Sequence, residues 1–244
     1  FKAKGGILGL ALLAAPAAGA HDQDRDVALR AEFPADLESV PPVPGFPGVP
    51  DPLYSPRVPD KEVALAILEE ARWVFAGMVW GFSYRYTPSD KARAIAELFQ
   101  AEPRGELPLG YPGVHFPSVR QEGFTVYATV EWVLSPADRS EYGAWAGAPY
   151  ASGQGQGSAR AYLPGRGGED TGLGQVGARR EAMLDAARSA VREYLRGITH
   201  NKPREATGSF AFAGPPRVIL REGNWIATVR LRISVDDITS YGSY

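Results

Sequence analysis

The chain carries one sequence phrase twice, about a hundred residues apart. Residues 119–135 read VRQEGFTVYATVEWVLS, and residues 218–234 read VILREGNWIATVRLRIS. In each copy a Glu-Gly turn leads into a stretch of alternating apolar and polar residues, which is the pattern of a β-hairpin with one buried face. An Ala-rich amphipathic helix pattern precedes each copy. We therefore predict two related helix-plus-β-hairpin units, an ancestral duplication in which Thr129 and Thr228 occupy equivalent positions and face the same way.

Periodicity along the rest of the chain predicts the other elements. Apolar residues recur every three or four positions in residues 61–78 and 178–196, as in amphipathic helices, and the polar stripe of the second helix includes Arg179. Residues 82–86 alternate like a strand, whereas residues 87–99 have the pattern of a further helix. The predicted fold class is α+β, with one continuous antiparallel sheet packed by the helices on one side.

Composition divides the chain into five segments. We assign residues 1–20 to a signal peptide, 21–59 to a Pro-rich leader, 60–135 to the first α+β unit, 136–177 to a Gly-rich insert or linker, and 178–244 to the second α+β unit. The leader has nine prolines from Pro34 to Pro59. Proline lacks the amide hydrogen that a central strand or a helix needs, so an extended leader is expected. The many glycines of the insert predict that no packed element forms there, because each glycine loses extra backbone entropy on ordering.

The first twenty residues have the three parts of a secretory signal. Two lysines precede an apolar stretch, residues 7–15, and residues 18–20 read Ala-Gly-Ala, a small-x-small cleavage pattern. We expect an exported protein, periplasmic or secreted, that is cleaved near Ala20. The apolar stretch is shorter than the roughly 20 residues that span a bilayer, and no later apolar run is longer, so no membrane span is expected.

Composition and motifs argue against several chemistries. The chain has no cysteine, so disulfides and thiol catalysis are impossible, and its formal net charge of −2 makes a nucleic-acid partner improbable. The three histidines, His21, His115 and His200, are isolated from one another and show no metal-ligand spacing. The sequence contains no GxSxG motif that would single out one serine as a nucleophile. We predict no catalytic residue, no cofactor and no metal ligand.

Aromatic residues are the best candidates for contact with a partner or ligand. Alternation from Trp80 to Tyr86 places four aromatic rings on one face, which is typical of packing against a helix and also of a platform that stacks on a sugar ring or a ligand. Trp145 and Tyr150 lie in the Gly-rich segment, where burial is less expected. The candidate contact residues are Trp80, Tyr84, Tyr86, Trp145 and Tyr150.

Two segments resemble known exported proteins. Residues 178–234 contain an Asp-Ala-Ala-Arg helix, a Gly-Ile exit and a strand that ends in Thr-Val-Arg-Leu. They resemble the LPP20-type envelope module, which also occurs in flagellar assembly proteins of the FlgT kind, and residues 61–134 show a fainter likeness. Residues 81–90 resemble uncharacterised exported proteins of spirochaetes. The resemblance implies an α+β domain with a structural or binding role in the envelope, and it carries no catalytic residues.

Three functions remain open from the sequence. The first is a non-enzymatic exported protein that presents a surface for envelope or flagellar-type assembly, with a protein as its partner. The second is a hydrolase acting on glycans or the cell wall, which needs two carboxylates in one cleft, with Glu122 or Asp90 near Tyr84 as candidates; a glycan is then the partner. The third is a small-ligand binder that uses the aromatic face from Trp80 to Tyr86.

Overall fold

The computed structural model describes residues 27–36, 60–123, 125–158 and 173–241. The expected signal peptide and most of the expected leader lie outside the described residues. Within the described part, the three helices are α1 (Asp60–Val79), α2 (Pro136–Gly143) and α3 (Leu173–Ile198). The nine strands are β1 (Ala28–Asp36), β2 (Phe82–Thr87), β3 (Leu98–Pro103), β4 (Val114–Glu122), β5 (Thr125–Val133), β6 (Tyr150–Ser158), β7 (Glu205–Phe212), β8 (Arg217–Arg221) and β9 (Asn224–Thr239).

The strands form two antiparallel sheets. The smaller sheet has the order β1-β5-β4, and the larger has the order β3-β2-β7-β9-β6, with β8 also paired to β9. Helix α1 packs mainly on β1 and also touches β5 and β7, while α3 packs on β6 and β9. The predicted α+β class with antiparallel sheets packed by helices is confirmed. The prediction of one continuous sheet is wrong, because β2 pairs with β7 and not with β5.

Both halves of the chain follow the same path through their hairpins. In each half a strand precedes the long helix and pairs antiparallel with the last strand of the half, β1 with β5 and β6 with β9. Both hairpins also close over two residues, because Glu122 pairs with Thr125 and Arg221 pairs with Asn224. Residues 99 positions apart therefore match in the two hairpins. The two Glu-Gly pairs are 100 positions apart. They therefore do not occupy equivalent positions when the hairpins are matched by their strand pairing.

The two threonines of the repeated phrase occupy matching positions. Ala128 and Val130 are buried on β5, and Ala227 and Val229 are buried on β9, so the residue between each pair points to the opposite face of its sheet. Thr228 is exposed on that face, and Thr129 is partly covered because its hydroxyl accepts a hydrogen bond of 2.8 Å from Ser118. Alternation thus places the two threonines as the sequence predicts, although they belong to different sheets.

Strand β6 lies directly beneath α3, and its glycines allow this contact. A Cβ atom placed on Gly155 would lie 2.0 Å from the backbone nitrogen of Ala186, and one placed on Gly157 would lie 2.3 Å from the carbonyl oxygen of Ala178. Only a residue without a side chain fits at such a distance. The expectation that no packed element forms in residues 136–177 is therefore wrong for residues 136–143, 150–158 and 173–177, which form α2, β6 and the start of α3.

Two other local expectations are corrected. Residues 87–99 do not form a helix, because the Asp90 carboxylate accepts hydrogen bonds from the backbone amides of Ala92 and Arg93, and Asp90 and Ile95 exchange backbone hydrogen bonds that close a turn. The chain then enters β3. Within the expected leader, residues 28–36 form β1, which lies at an edge of its sheet where Pro34 costs no ladder hydrogen bond.

A buried ion pair joins α1 to α3. Arg179 and Glu70 are 1% and 2% exposed, and the Arg179 Nε donates to both carboxylate oxygens of Glu70 at 3.0 and 2.8 Å. The same guanidinium also donates to the Gln175 side chain at 3.1 Å and to the Pro34 carbonyl at 3.2 Å. The prediction that Arg179 faces water is wrong. Burial of this pair is tolerated because each charge meets its counter-charge and further hydrogen-bond partners.

Substitution of Gly155 tests the contact between α3 and β6. We expect Gly155→Ala to lower the free energy of unfolding by about 2–3 kcal/mol, because the methyl group forces the helix off the strand. Gly177→Ala is the matched control, since its Cβ would meet no atom within 4 Å and alanine favours a helix; it should raise stability by roughly 0.5–1 kcal/mol. Urea unfolding measures both values. Equal effects of the two substitutions would contradict the packing described here.

Substitution of Arg179 tests the ion pair. Arg179→Met leaves the Glu70 carboxylate buried without its counter-charge, so we expect a loss of about 3–5 kcal/mol in the free energy of unfolding. The double variant Arg179→Met with Glu70→Leu removes both charges and should recover most of that loss. A double-mutant cycle followed by urea unfolding checks the coupling. If the two losses simply add, the pair does not act as a unit.

Candidate functional site

The aromatic face of β2 belongs to the interior. Tyr84 and Tyr86 are 4% and 3% exposed, and the ring of Phe99 stacks against that of Tyr84 with centroids 6.3 Å apart. Strand β2 lies between β3 and β7, so its apolar side is covered by the core under the helices. The proposed role of Tyr84 and Tyr86 as contact residues is therefore corrected: they pack the core, and a ligand platform on this face is not available.

The two tryptophans among the candidates serve packing within the fold. Trp80 is half-buried, and its ring lies 5.7 Å from that of Trp132 in the smaller sheet. The Trp145 Nε1 donates a hydrogen bond of 3.1 Å to the carbonyl of Val79 at the end of α1. The Arg104 guanidinium lies 5.7 Å from the Trp145 ring. Both indoles are partly accessible, but their contacts hold the end of α1 in place.

Tyr150 is the candidate that remains on the surface. It begins β6, is 45% exposed, and its ring has the guanidinium groups of Arg230 and Arg232 at 3.9 and 3.7 Å from the centroid. Arg232 also donates to the carbonyl of Ala148 at 2.9 Å, which fixes one of the two cations. Tyr150 pairs with Arg232 in the sheet register, so both side chains project from the face opposite α3.

Further arginines lie on the same face of the larger sheet. On β8, Arg217 pairs with Thr228 and Arg221 pairs with Asn224, so both arginines share the side of β9 that carries Arg230. Ile219 lies between them and is 46% exposed. We call this surface the cationic face; it consists of Tyr150, Arg217, Ile219, Arg221, Arg230 and Arg232. A neighbouring acid at the hairpin turn, Glu222, forms an ion pair of 3.3 Å with Arg221.

The first half of the chain closes the equivalent surface with an ion pair. Arg120, 99 positions before Ile219, is the equivalent residue in the first half. Its guanidinium donates to both oxygens of Glu32 at 3.0 and 2.8 Å and lies 4.2 Å from the Tyr127 ring. That hydrogen-bonded pair lowers the pKa of Glu32. Gln154 occupies the position that matches Glu32, since each pairs with the threonine of the repeated phrase. The second half therefore lacks the acid and presents an exposed apolar side chain instead.

The carboxylates proposed for hydrolysis do not meet. Glu122 lies at the end of β4 and pairs with Arg120, whereas Asp90 lies in the turn after β2 and pairs with Arg93 at 2.7 Å. Tyr84, the aromatic residue expected beside them, is buried in the core. The hydrogen bond from Arg93 lowers the pKa of Asp90, whereas a general acid for glycoside hydrolysis needs a raised pKa. This arrangement gives these residues no catalytic geometry.

Metal-ligating clusters and membrane-spanning helices are absent from the described ranges. Among residues 27–36, 60–123, 125–158 and 173–241, no three His, Asp or Glu side chains group together in a way that would hold a metal ion. No helix in that same part of the chain has both the length and the apolar character needed to cross a bilayer.

Comparison with known proteins places the chain in a family. A protein-family model matches residues 16–241, so the chain belongs to that family. The chain is also 28% identical over 192 residues to a protein of Treponema pallidum (strain Nichols) that carries the name "Uncharacterized protein", and the match covers 78% of this chain and 74% of that relative. No solved structure matches. The resemblance to uncharacterised spirochaete proteins is confirmed at this level, whereas these comparisons give no support to an LPP20-type or FlgT-like module.

Alkaline unfolding tests the burial of the two tyrosines. Burial is the main cause that raises the pKa of the Tyr84 and Tyr86 phenols, and for Tyr86 a hydrogen bond of 2.7 Å to Glu97 adds to it. The folded pKa lies above the unfolded value of about 10, so the stabilisation is complete below that pH and is lost as pH rises beyond it.

We expect the free energy of unfolding to fall by about 1.4 kcal/mol per pH unit for each buried tyrosine between roughly pH 10 and 12. Tyr84→Phe should make this fall less steep, because it removes one titrating group. Urea unfolding across this pH range measures the slope. A slope unchanged by Tyr84→Phe would show that the phenol titrates as a solvent-exposed group.

Proposed function

We propose that this member of the matched family is a non-enzymatic exported protein that binds an acidic protein partner in the cell envelope through its cationic face. Envelope or flagellar-type assembly is the setting that we propose for this binding. The observation that carries the proposal is the difference between the two halves of the chain. Equivalent positions hold a closed ion pair in the first half and an open patch of arginines, tyrosine and isoleucine in the second.

The composition of the cationic face supports a protein partner. Tyrosine and arginine are enriched at the centres of protein interfaces because they bury a large contact area and also supply hydrogen bonds. This face carries four arginines, Arg217, Arg221, Arg230 and Arg232. The neighbouring acid Glu222 pairs with Arg221. The excess positive charge favours an acidic surface and speeds its encounter by electrostatic steering.

Export is part of the proposal and rests on the sequence. The basic start, the apolar stretch and the small-x-small pattern of residues 18–20 support a cleaved secretory signal. The chain has no cysteine and so cannot form disulfides in an oxidising compartment. The large hydrophobic core of the described residues can stabilise the fold without them.

The two alternative functions have weaker support. A hydrolase would need a pair of carboxylates in one cleft with one pKa raised, whereas Asp90 and Glu122 are apart and each is bound to an arginine. A ligand binder on the β2 aromatic face would need accessible rings, and Tyr84 and Tyr86 are buried. Glycan binding at Tyr150 would use the same exposed ring, but the two arginines that contact this ring favour an acidic partner over a neutral sugar.

Site-specific photocrosslinking tests the binding surface. A photoreactive residue in place of Ile219 should capture a partner from native envelope fractions, while the same residue in place of Arg120, the equivalent position in the first half, should not. The captured protein is then purified and its affinity for the uncrosslinked chain is measured.

Charge reversal distinguishes a specific interface from incidental capture. The double variant Arg217→Glu with Arg230→Glu should weaken binding of the purified partner about tenfold or more, and higher salt should weaken binding to the unmodified chain. Arg30→Glu, an exposed arginine on the smaller sheet, is the matched control and should change the affinity less than about twofold. Equal losses in the two variants, or a partner with no acidic surface, would overturn the proposal.

A further inference from the structure

A polar cavity lies at the C-terminal end of α3. It has a volume of about 290 Å³ and is bounded by the last turns of α3, by the loop that follows it and by the end of β2. Side chains from all three segments line it, including Tyr86, Glu97, Arg192, Arg196, Thr199 and Lys202. The space suits a small polar ligand, since it lies near the lower end of the volumes of ligand sites.

Positive charge dominates this lining. Arg192, Arg196 and Lys202 contribute three cations, and Glu97 is the one carboxylate among the described residues that line the cavity. Glu97 accepts a hydrogen bond of 2.7 Å from Tyr86 and lies 3.5 Å from Arg192, so it neutralises part of that arginine's charge. Arg196 also forms an ion pair of 2.6 Å with Glu193, so the net charge at the cavity is about one positive.

The end of the helix opposes an anion, but by less than the side chains favour it. The carbonyl groups at a helix C-terminus carry roughly half a negative charge in total. Here the Leu195 carbonyl is already occupied, because it accepts hydrogen bonds from both the backbone nitrogen and the hydroxyl of Thr199, at 3.0 and 2.7 Å. One net positive charge against about half a negative charge leaves a site that attracts anions.

We propose that this cavity binds a small anion that bears a phosphate group. Arginine binds phosphate through its planar array of donors, and lysine binds it as a point charge, so Arg192 from α3 and Lys202 from the following loop can hold different oxygens of one phosphate. The lysine ammonium donates a hydrogen bond to the carbonyl of Ser89, which also lines the cavity. This proposal does not require that the function proposed above is correct.

Isothermal titration of the folded protein tests the site with two probes, inorganic phosphate and glycerol phosphate. We expect saturable binding of at least one probe with a Kd of about 1 mM or tighter. Arg192→Gln and Lys202→Gln should each weaken binding about fivefold or more, because each removes a charge-assisted contact. Tighter binding of glycerol phosphate would indicate an esterified phosphate as the natural ligand, and equal binding would indicate the free ion.

Glu97→Gln gives a prediction of opposite sign. It keeps the side-chain shape and the oxygen that accepts from Tyr86 but removes the negative charge, so binding should become about threefold tighter or more. Lys91→Gln removes an exposed lysine outside the cavity and should leave the Kd unchanged. Circular dichroism confirms that each variant is folded. Absence of saturation at about 10 mM, weaker binding by Glu97→Gln, or an equal loss in Lys91→Gln would overturn the proposal.

Discussion

The close contact between α3 and the glycine face of β6 determines where both proposed sites lie. Because Gly153, Gly155 and Gly157 have no side chains, they let α3 rest directly against the strand backbone. The helix side that makes this contact carries Ala178, Ala182, Ala186 and Ala190. The Asp185 carboxylate then accepts a hydrogen bond of 3.0 Å from the backbone amide of Gln156, a residue of the edge strand β6. This arrangement sends Tyr150 to the open face and brings the end of α3 beside β2. A bulkier β6 would displace the helix and with it both surfaces.

The ion pair between Glu70 and Arg179 makes the two halves of the chain one packed body. Its groups come from α1 and α3, and the Arg179 guanidinium also reaches the Pro34 carbonyl of β1 and lies 5.2 Å from the Trp225 ring of β9. A second pair on the adjacent turn, Arg180 with Glu69 at 3.5 Å, follows the same helix crossing. A buried charge must keep its hydrogen-bond partners, so charged contacts permit fewer alternative packings than apolar contacts do. These ion pairs therefore restrict how α1 and α3 can pack against each other.

Divergence between the halves gives the fold its asymmetry. Both hairpins keep the same strand register and the same alternation of buried residues. The strand that follows α1, β2, pairs with the strand that follows α3, β7, and this pairing joins the two halves in the larger sheet. The first hairpin is left in a separate sheet, where Arg120 and Glu32 close its outer face. The second hairpin has no such closure, so the face that carries Ile219 remains exposed.

Local pattern determined the elements whose interactions are near in sequence. Period-2 alternation predicted both hairpins and the faces of Thr129 and Thr228, and period-3.6 alternation predicted α1 and α3, because the side of an element that a residue occupies follows from its backbone geometry. The β2 aromatic strand was predicted for the same reason. The function was narrowed only by exclusion, through the absence of cysteine and of metal and nucleophile motifs.

Tertiary structure decided whatever depends on a distant partner. A glycine-rich strand has little intrinsic preference for order, and residues 150–158 become β6 only because α3 and β9 supply contacts that offset the entropy cost. Arg179 has the pattern of a solvent-facing residue, and only the approach of Glu70, 109 positions away, makes its burial favourable. The cationic face and the anion cavity likewise combine segments far apart in the chain. Charge and burial at such places depend on distances in space, which sequence spacing does not contain.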